Sequence, residues 1–311
     1  DFIMKKLALL LGALSLVSSV AYAKEVVPAV EEVVVVEEAA PVAAAPMLRV
    51  TSIGQYVEVD NASGHDYAND NKADIGEEVY FGNVVNFAYG EDWTFQLLAH
   101  KTWNMDTDNG IHGENHRIEI GGWRNFDNFA LGMKWRNQEQ YDRLYLRGKY
   151  NFGMFDGWAD VAYQANNTRA DYTGDQWYSE GEPIAVTVGP VRFAYYYELN
   201  HMLGDVGQFE KEDDIVHQVR ASLPVYQGEK LSLGLEYRYQ FDDKEEYNGK
   251  TGWYEDTKHI GIVKAAYAVN ENLTVDGYYR YDFIDSEAKD GAKSKADNYY
   301  GEFYAGWTYT F

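Results

Sequence analysis

From Leu48 onward the chain repeats one pattern: about ten residues alternate apolar and polar, a turn follows, and the alternation resumes. In Leu231 to Phe241, Leu231, Leu233, Leu235, Tyr237, Tyr239 and Phe241 fall on one side, and Ser232, Gly234, Glu236, Arg238 and Gln240 on the other. A strand has a side-chain period of two, so these are two faces of a sheet; a helix, with period 3.6, would scatter them. Leu273 to Phe283, Phe129 to Trp135, Val191 to Leu199 and Tyr299 to Phe311 repeat the split. Two architectures satisfy it. A soluble sandwich buries the apolar face in a core. A transmembrane β-barrel turns it to lipid and encloses the polar face.

What precedes the strands favours the barrel. Met4-Lys5-Lys6, an apolar run from Leu7 to Val17, and Ala21-Tyr22-Ala23 have the three parts of a secretory signal. The predicted organisation is a start-site extension with a cleaved signal over 1–23, a linker over 24–46 and the barrel over 47–311. The linker is low in complexity, rich in Ala, Val, Glu and Pro, and lacks aromatic side chains. Such a segment buries too little surface to offset its ordering entropy. The last strand runs unbroken to an aromatic carboxy terminus, Phe311. Trp93, Trp103, Trp123, Trp135, Trp158 and Trp307 fall near strand ends, where amphipathic rings suit a lipid–water boundary.

Short turns are predicted at 90–92, 126–128, 153–157, 189–190, 226–229 and 270–272. Longer polar connections are predicted at 61–76, 104–114, 137–141, 167–183, 201–213, 242–256 and 284–298. This alternation implies an all-β antiparallel barrel of about fourteen strands, with twelve or sixteen as alternatives, and both termini on the short-turn side. Asn83 interrupts the apolar face of the second strand. Near 257–269, Lys264 and the Ile260/Ile262 pair leave the inward face open.

Composition removes other classes. The chain has no Cys, so disulfides, thiolate zinc sites and cysteine nucleophiles are excluded. A formal charge of −23 lacks the basic footprint of a nucleic-acid binder. Past the signal, no apolar run reaches the roughly 18 residues of a membrane-spanning helix.

In a barrel, function lies on the inward face and in the loops. The polar alternation assigns Lys134, Arg136, Arg143, Arg147, Lys149, Arg192, Arg220, Arg238 and Arg280 to a basic pore lining, with Arg117 beside them. Glu119, Asp160, Glu198, Glu236, Asp276, Asp282 and Glu302 form the acidic lining. Five successive cations on the fifth and sixth strands predict a locally positive wall. Either it focuses anions in a wet lumen, or its cations pair across the barrel and hold its shape. Trp93, Trp103, Trp135, Trp158, Trp307 and Phe311 are the expected interface aromatics. The outer loops carry acidic clusters at 210–214 and 242–256.

Catalytic and metal signals are weak. Ser222 and Ser232 have no His nearby, so no hydrolase triad is predicted. His112, Glu114 and His116 share one strand face at metal-ligand spacing, but three groups at a loop junction read first as solvated side chains. Asp106 to Gly110 lacks the spacing and closing Glu of a calcium loop. No enzyme, metal or cofactor is expected.

The leader Met4 to Val27 (MKKLALLLGALSLVSSVAYAKEVV) resembles that of fusobacterial major outer-membrane porins. The low-complexity segment, Tyr-rich strands and aromatic terminus fit the same resemblance. It implies passive diffusion of small hydrophilic solutes across the outer membrane of a Gram-negative bacterium, with a periplasmic N-terminal tail. It also implies a role in adhesion, so a barrel adhesin presenting acidic loops is the alternative. Gly234 to Tyr239 (GLEYRY) is more faintly similar to acidic-oligosaccharide porins. The expected partners are outer-membrane lipid and lipopolysaccharide, barrel-assembly machinery, small polar solutes and a possible homo-oligomer. One departure stands out: the third outer loop is too short to fold inward as in general trimeric porins.

Overall fold

The computed structural model describes residues 48–63, 73–105, 111–167, 175–203, 211–247, 254–288 and 298–311. The side chains at 62–63, 73–77, 211–212, 242–247, 254–256, 286–288 and 298–299 are not described. The signal, the linker and the Asp106–Gly110 segment lie outside the described residues.

Fourteen strands follow one another in chain order: β1 (Leu48–Ser63), β2 (Ala73–Tyr89), β3 (Trp93–Asn104), β4 (His112–Asn125), β5 (Phe129–Gln138), β6 (Tyr141–Phe152) and β7 (Phe155–Asn166). Then come β8 (Gln176–Val188), β9 (Val191–Met202), β10 (Lys211–Gln227), β11 (Leu231–Tyr247), β12 (Tyr254–Ala268), β13 (Leu273–Ala288) and β14 (Asn298–Thr310). Each pairs antiparallel with its sequence neighbours, and β1 pairs with β14 from Ser52↔Thr310 to Ala62↔Tyr300, closing the barrel. The fourteen-strand expectation is met. Strands about 4.8 Å apart and tilted 35–45° place the backbone on a cylinder of about 14 Å radius.

The outward face is apolar. Leu131, Met133, Leu144, Leu146, Ile184, Val263 and Phe303 are each more than half exposed. Where a sheet surrounds a polar interior, such a belt suits hydrocarbon rather than water. Asn83 lies on this face and does not end β2: Gln55 Nε2 donates to Asn83 Oδ1 at 2.9 Å from the neighbouring strand. At β12, Ile260 and Ile262 point inward together with Lys264, while Val263 points out.

Short connections join the strands at one end. Gly90, Gly153 and Gly189 adopt left-handed φ of 60°, 77° and 60° there. Glycine occupies that region without a Cβ penalty, which is what tight hairpins require. At the other end several strands run past their expected limits. β8 begins at Gln176 inside the expected 167–183 loop, and β11 and β12 extend to Tyr247 and from Tyr254 into the expected 242–256 loop. The β5–β6 connection is as short as expected, Glu139-Gln140.

Candidate functional site

Register decides what the inward charges meet. On β4, β5 and β6, Glu119 stands directly across from Arg136, and Arg136 directly across from Arg143. Two cations facing each other on neighbouring strands repel. They resolve this by turning opposite ways. Arg136 Nε donates to Glu119 Oε1 at 2.6 Å, and Arg117 Nε donates to the same oxygen at 2.7 Å. Lys134 Nζ lies 3.8 Å from Oε2, so one buried carboxylate gathers three cations. Arg143 turns to β7, where Nε donates to Gln164 Oε1 at 2.8 Å; its Nη1 donates to the Tyr145 hydroxyl of its own strand at 3.1 Å. Its guanidinium carbon lies 3.8 Å from the Tyr178 ring centroid. Further down β6, Arg147 faces Asp160 across the β6–β7 pair and donates to Oδ2 at 2.8 Å. The basic wall is therefore partly neutralised, by carboxylates on adjacent strands rather than across the barrel. Six cations (Arg117, Lys134, Arg136, Arg143, Arg147 and Lys149) still outnumber Glu119, Asp156 and Asp160 on the described inward face of β4 to β7.

β8 brings in carboxylates that alternation does not reveal. A bulge between Gly181 and Ile184, at Pro183, breaks the period of two. Above it, Glu180 and Glu182 point inward. Glu182 accepts from Arg192 Nη2 at 2.8 Å and from Arg220 Nη1 at 3.0 Å. Arg192 also grips Asp156, with Nη2 to Oδ1 at 2.6 Å. Glu198 accepts from the Tyr196 hydroxyl at 2.9 Å. On β11 and β12, Glu236 is held by Arg238 Nε and Lys264 Nζ, each at 2.5 Å.

β13 lies seven strands from β6 around a ring of fourteen, so β11 to β14 stand opposite β4 to β7; overlapping them, β13, β14 and β1 carry a largely acidic run. Here Asp276, Asp282, Glu302, Glu58 and Asp60 face inward with Arg280. Arg280 donates to Asp282 from Nε at 2.8 Å and from Nη2 at 2.6 Å, and its Nη1 lies 3.4 Å from Glu302 Oε2. The Tyr278 hydroxyl donates to Glu302, and the Tyr300 hydroxyl reaches it at 3.3 Å. Tyr278 and Tyr304 stack at 5.0 Å and 4°, and Tyr304 stacks on Tyr56 at 5.5 Å.

Each of these ion pairs joins residues on the same strand, adjacent strands or strands two apart. They lie along the wall instead of crossing the axis. Two inward rings do the same. Tyr56 covers Gly82, where a Cβ would meet its ring at 2.1 Å, and bonds His100 Nδ1 at 2.9 Å. Trp123 covers Gly132 in the same manner.

Of the expected interface aromatics, Trp93, Trp103, Trp135, Trp307 and Phe311 are on the outward face, and Trp93 stacks with Phe95 at 6.2 Å. Trp158 is not. It shares the face of Asp160, two residues on, and points into the barrel beside Lys149. Trp123 shares the face of Glu119 and also points inward. Nearness to a strand end sets height in the membrane, but parity sets the side.

Sequence reading missed Glu58, Asp60, Asp156, Glu180 and Glu182, and left the face of Lys264 open. Glu58 and Asp60 alternate with Val57 and Val59, so their signal was present. Glu180 and Glu182 had none, because the bulge hides it. His112, Glu114 and His116 are exposed on β4, and no group of metal-binding side chains occurs among the described residues. At the loop end, His201 Nδ1 lies 2.6 Å from Asp213 Oδ1. Asp175, just before β8, accepts from the Tyr163 hydroxyl and from the Asn166 amide at 3.0 Å. These bonds, that from Tyr163 first, hold its carboxyl below the usual range.

No protein-family profile and no curated sequence matches the chain. Among solved structures it is similar to the anion-selective porin from Comamonas acidovorans, at 11% identity over 85% of this chain and 100% of that one, TM-score 0.47. OccAB3 of Acinetobacter baumannii matches at 9% identity over 84% and 99%, TM-score 0.47. OmpT of Vibrio cholerae matches at 13% over 88% and 100%, TM-score 0.45. Likeness at this level does not bear on the strand count or lumen chemistry of this chain.

Proposed function

We propose that this protein is an outer-membrane pore through which small hydrophilic solutes and ions diffuse. The short-turn end faces the periplasm and the extended strand ends face outward. The observation that carries the reading is the lay of the inward charges. Buried charges in a dry, plugged barrel would have to interlock across the interior. Here the named pairs run along the wall of a cylinder about 14 Å in radius, leaving its axis to water. β6 and β7 stand opposite β13 and β14, so the cation-rich face of β4 to β7 partly confronts the acidic run of β13, β14 and β1, and a permeating solute meets a field across the lumen.

The test is single-channel recording of the refolded full chain in a planar bilayer under a salt gradient. Discrete conductance steps are expected. A folded barrel that never conducts would overturn the reading.

A further inference from the structure

Arg124 is the penultimate residue of β4, at the short-turn end. It stands directly across from Trp93 on β3 and from Leu131 on β5, both on the outward face. Arg124 therefore points away from the lumen, at the edge of the apolar belt, and it is exposed. Its guanidinium carbon lies 5.5 Å from the Trp93 ring centroid and 5.3 Å from that of Phe126. Phe126 is itself braced by Phe129, stacked at 4.4 Å and 14°. These rings hold the cation without occupying its donors. Among the described residues, no carboxylate pairs with Arg124 and no acceptor takes its N–H groups.

Carboxylates stand one step further from the belt. Asp92 immediately precedes Trp93, and Asp127 lies in the β4–β5 turn. The Asn125 amide and its Nδ2 both donate to the Asp92 carbonyl, at 2.7 and 2.9 Å, so the two turns are tied together beside Arg124. Both Asp residues are exposed. From hydrocarbon toward water, the order on this patch is apolar side chains, guanidinium, carboxylates. A phospholipid with an ethanolamine headgroup carries the complementary order: acyl chains, phosphate diester, ammonium. We propose that the patch is a seat for one such lipid. The planar fork of Arg124 takes two phosphate oxygens. The ammonium faces Asp92 and Asp127, and an acyl chain lies along Phe95, Leu97 and Ile120, which are outward and exposed. This goes beyond the pore reading and needs only that the apolar face meets lipid. A glycerol headgroup supplies the phosphate without the ammonium, and a diacylglycerol supplies neither charge.

The experiment is native mass spectrometry of the refolded full chain in detergent, titrated with dioleoyl phosphatidylethanolamine, dioleoyl phosphatidylglycerol and dioleoylglycerol. Binding in detergent does not require conduction, so this result and the bilayer recording fail independently. The ethanolamine lipid is expected to bind most tightly and dioleoylglycerol least. Arg124→Gln should weaken the ethanolamine lipid about tenfold, the loss of a charge-assisted contact. Arg124→Lys should recover part of it, keeping the charge but not the fork. Asp92→Asn combined with Asp127→Asn should erase the preference for ethanolamine over glycerol and leave the glycerol lipid no weaker. Either of the other two lipids binding as tightly as the ethanolamine lipid would overturn the proposal. So would an Arg124→Gln barrel, shown folded by its heat-modifiable gel mobility, that keeps wild-type affinity. If Arg124→Gln does not fold, an unchanged headgroup preference in the Asp92→Asn, Asp127→Asn variant overturns it instead.

Discussion

Replacing Glu119 with Gln removes the one carboxylate that gathers Arg117, Lys134 and Arg136. The side chain of Glu119 is 7% exposed, those of Lys134 and Arg136 are 9% and 13%, and that of Arg117 is 28%. The amide keeps one acceptor of similar shape, so packing is preserved and the change is electrostatic. Two charge-assisted bonds of 2.6 and 2.7 Å weaken, each worth about 1.5–3 kcal/mol. Breaking a buried pair from one side costs about 3–5 kcal/mol. Water at Arg117 relieves part of this, so the expected loss is about 3 kcal/mol. It should show as a lower midpoint in reversible urea unfolding of the barrel in lipid vesicles. Raising the salt should recover some of it by screening the three cations. The same variant adds one positive charge to the wall, so its anion-to-cation permeability ratio should rise. A stability loss below about 1 kcal/mol with no response to salt would refute the claim that Glu119 is a desolvated anchor.

Three other outcomes are expected. Arg143 is 7% exposed and packed between Gln164 and tyrosine rings, so Arg143→Gln should destabilise the barrel but leave the reversal potential nearly unchanged, whereas Lys149→Gln should shift it away from anions. Gln55 and Asn83 bond across β1 and β2 on the lipid face; a double-mutant cycle to Ala in vesicles should give a coupling of about 0.6 kcal/mol, and a value of zero would place the pair in water. The Asp175 carboxyl is lowered by its bonds, so its tie to Tyr163 and Asn166 is fully present above the unfolded value of about 3.9 and is lost as pH falls through the folded one. Amide exchange at Asn166, corrected for intrinsic rate, should therefore gain an acid-dependent opening that Asp175→Asn abolishes at all pH values.

The strand count was legible because every short turn carries its own chemistry. Gly189-Pro190 and Gly90-Glu91-Asp92 interrupt the alternation and leave the next strand in phase. The pattern was also enough to place Lys134, Arg136, Arg147 and Arg280 on the polar face. It failed where the period itself breaks. At Pro183 one bulge shifts the phase, and Glu182, the bridge between Arg192 and Arg220, vanished into an expected loop. It also failed where two properties of one residue were conflated. Trp158 and Trp123 lie near strand ends, yet their strand parity turns them into the barrel.

Period-two alternation and the turn signals determined by themselves that this chain makes strands with one apolar and one polar face. These are local properties, set by how successive side chains alternate along one strand. Which charge meets which was decided only by tertiary structure. The register across β4, β5 and β6 sets Glu119 against Arg136 and Arg136 against Arg143, and barrel closure sets β13 opposite β6. Register depends on hydrogen bonding between strands, and opposition on the number of strands in the ring. Neither is written in any one segment, so a row of cations that looks unpaired along the sequence is partly neutralised in the fold and faces acids across the lumen.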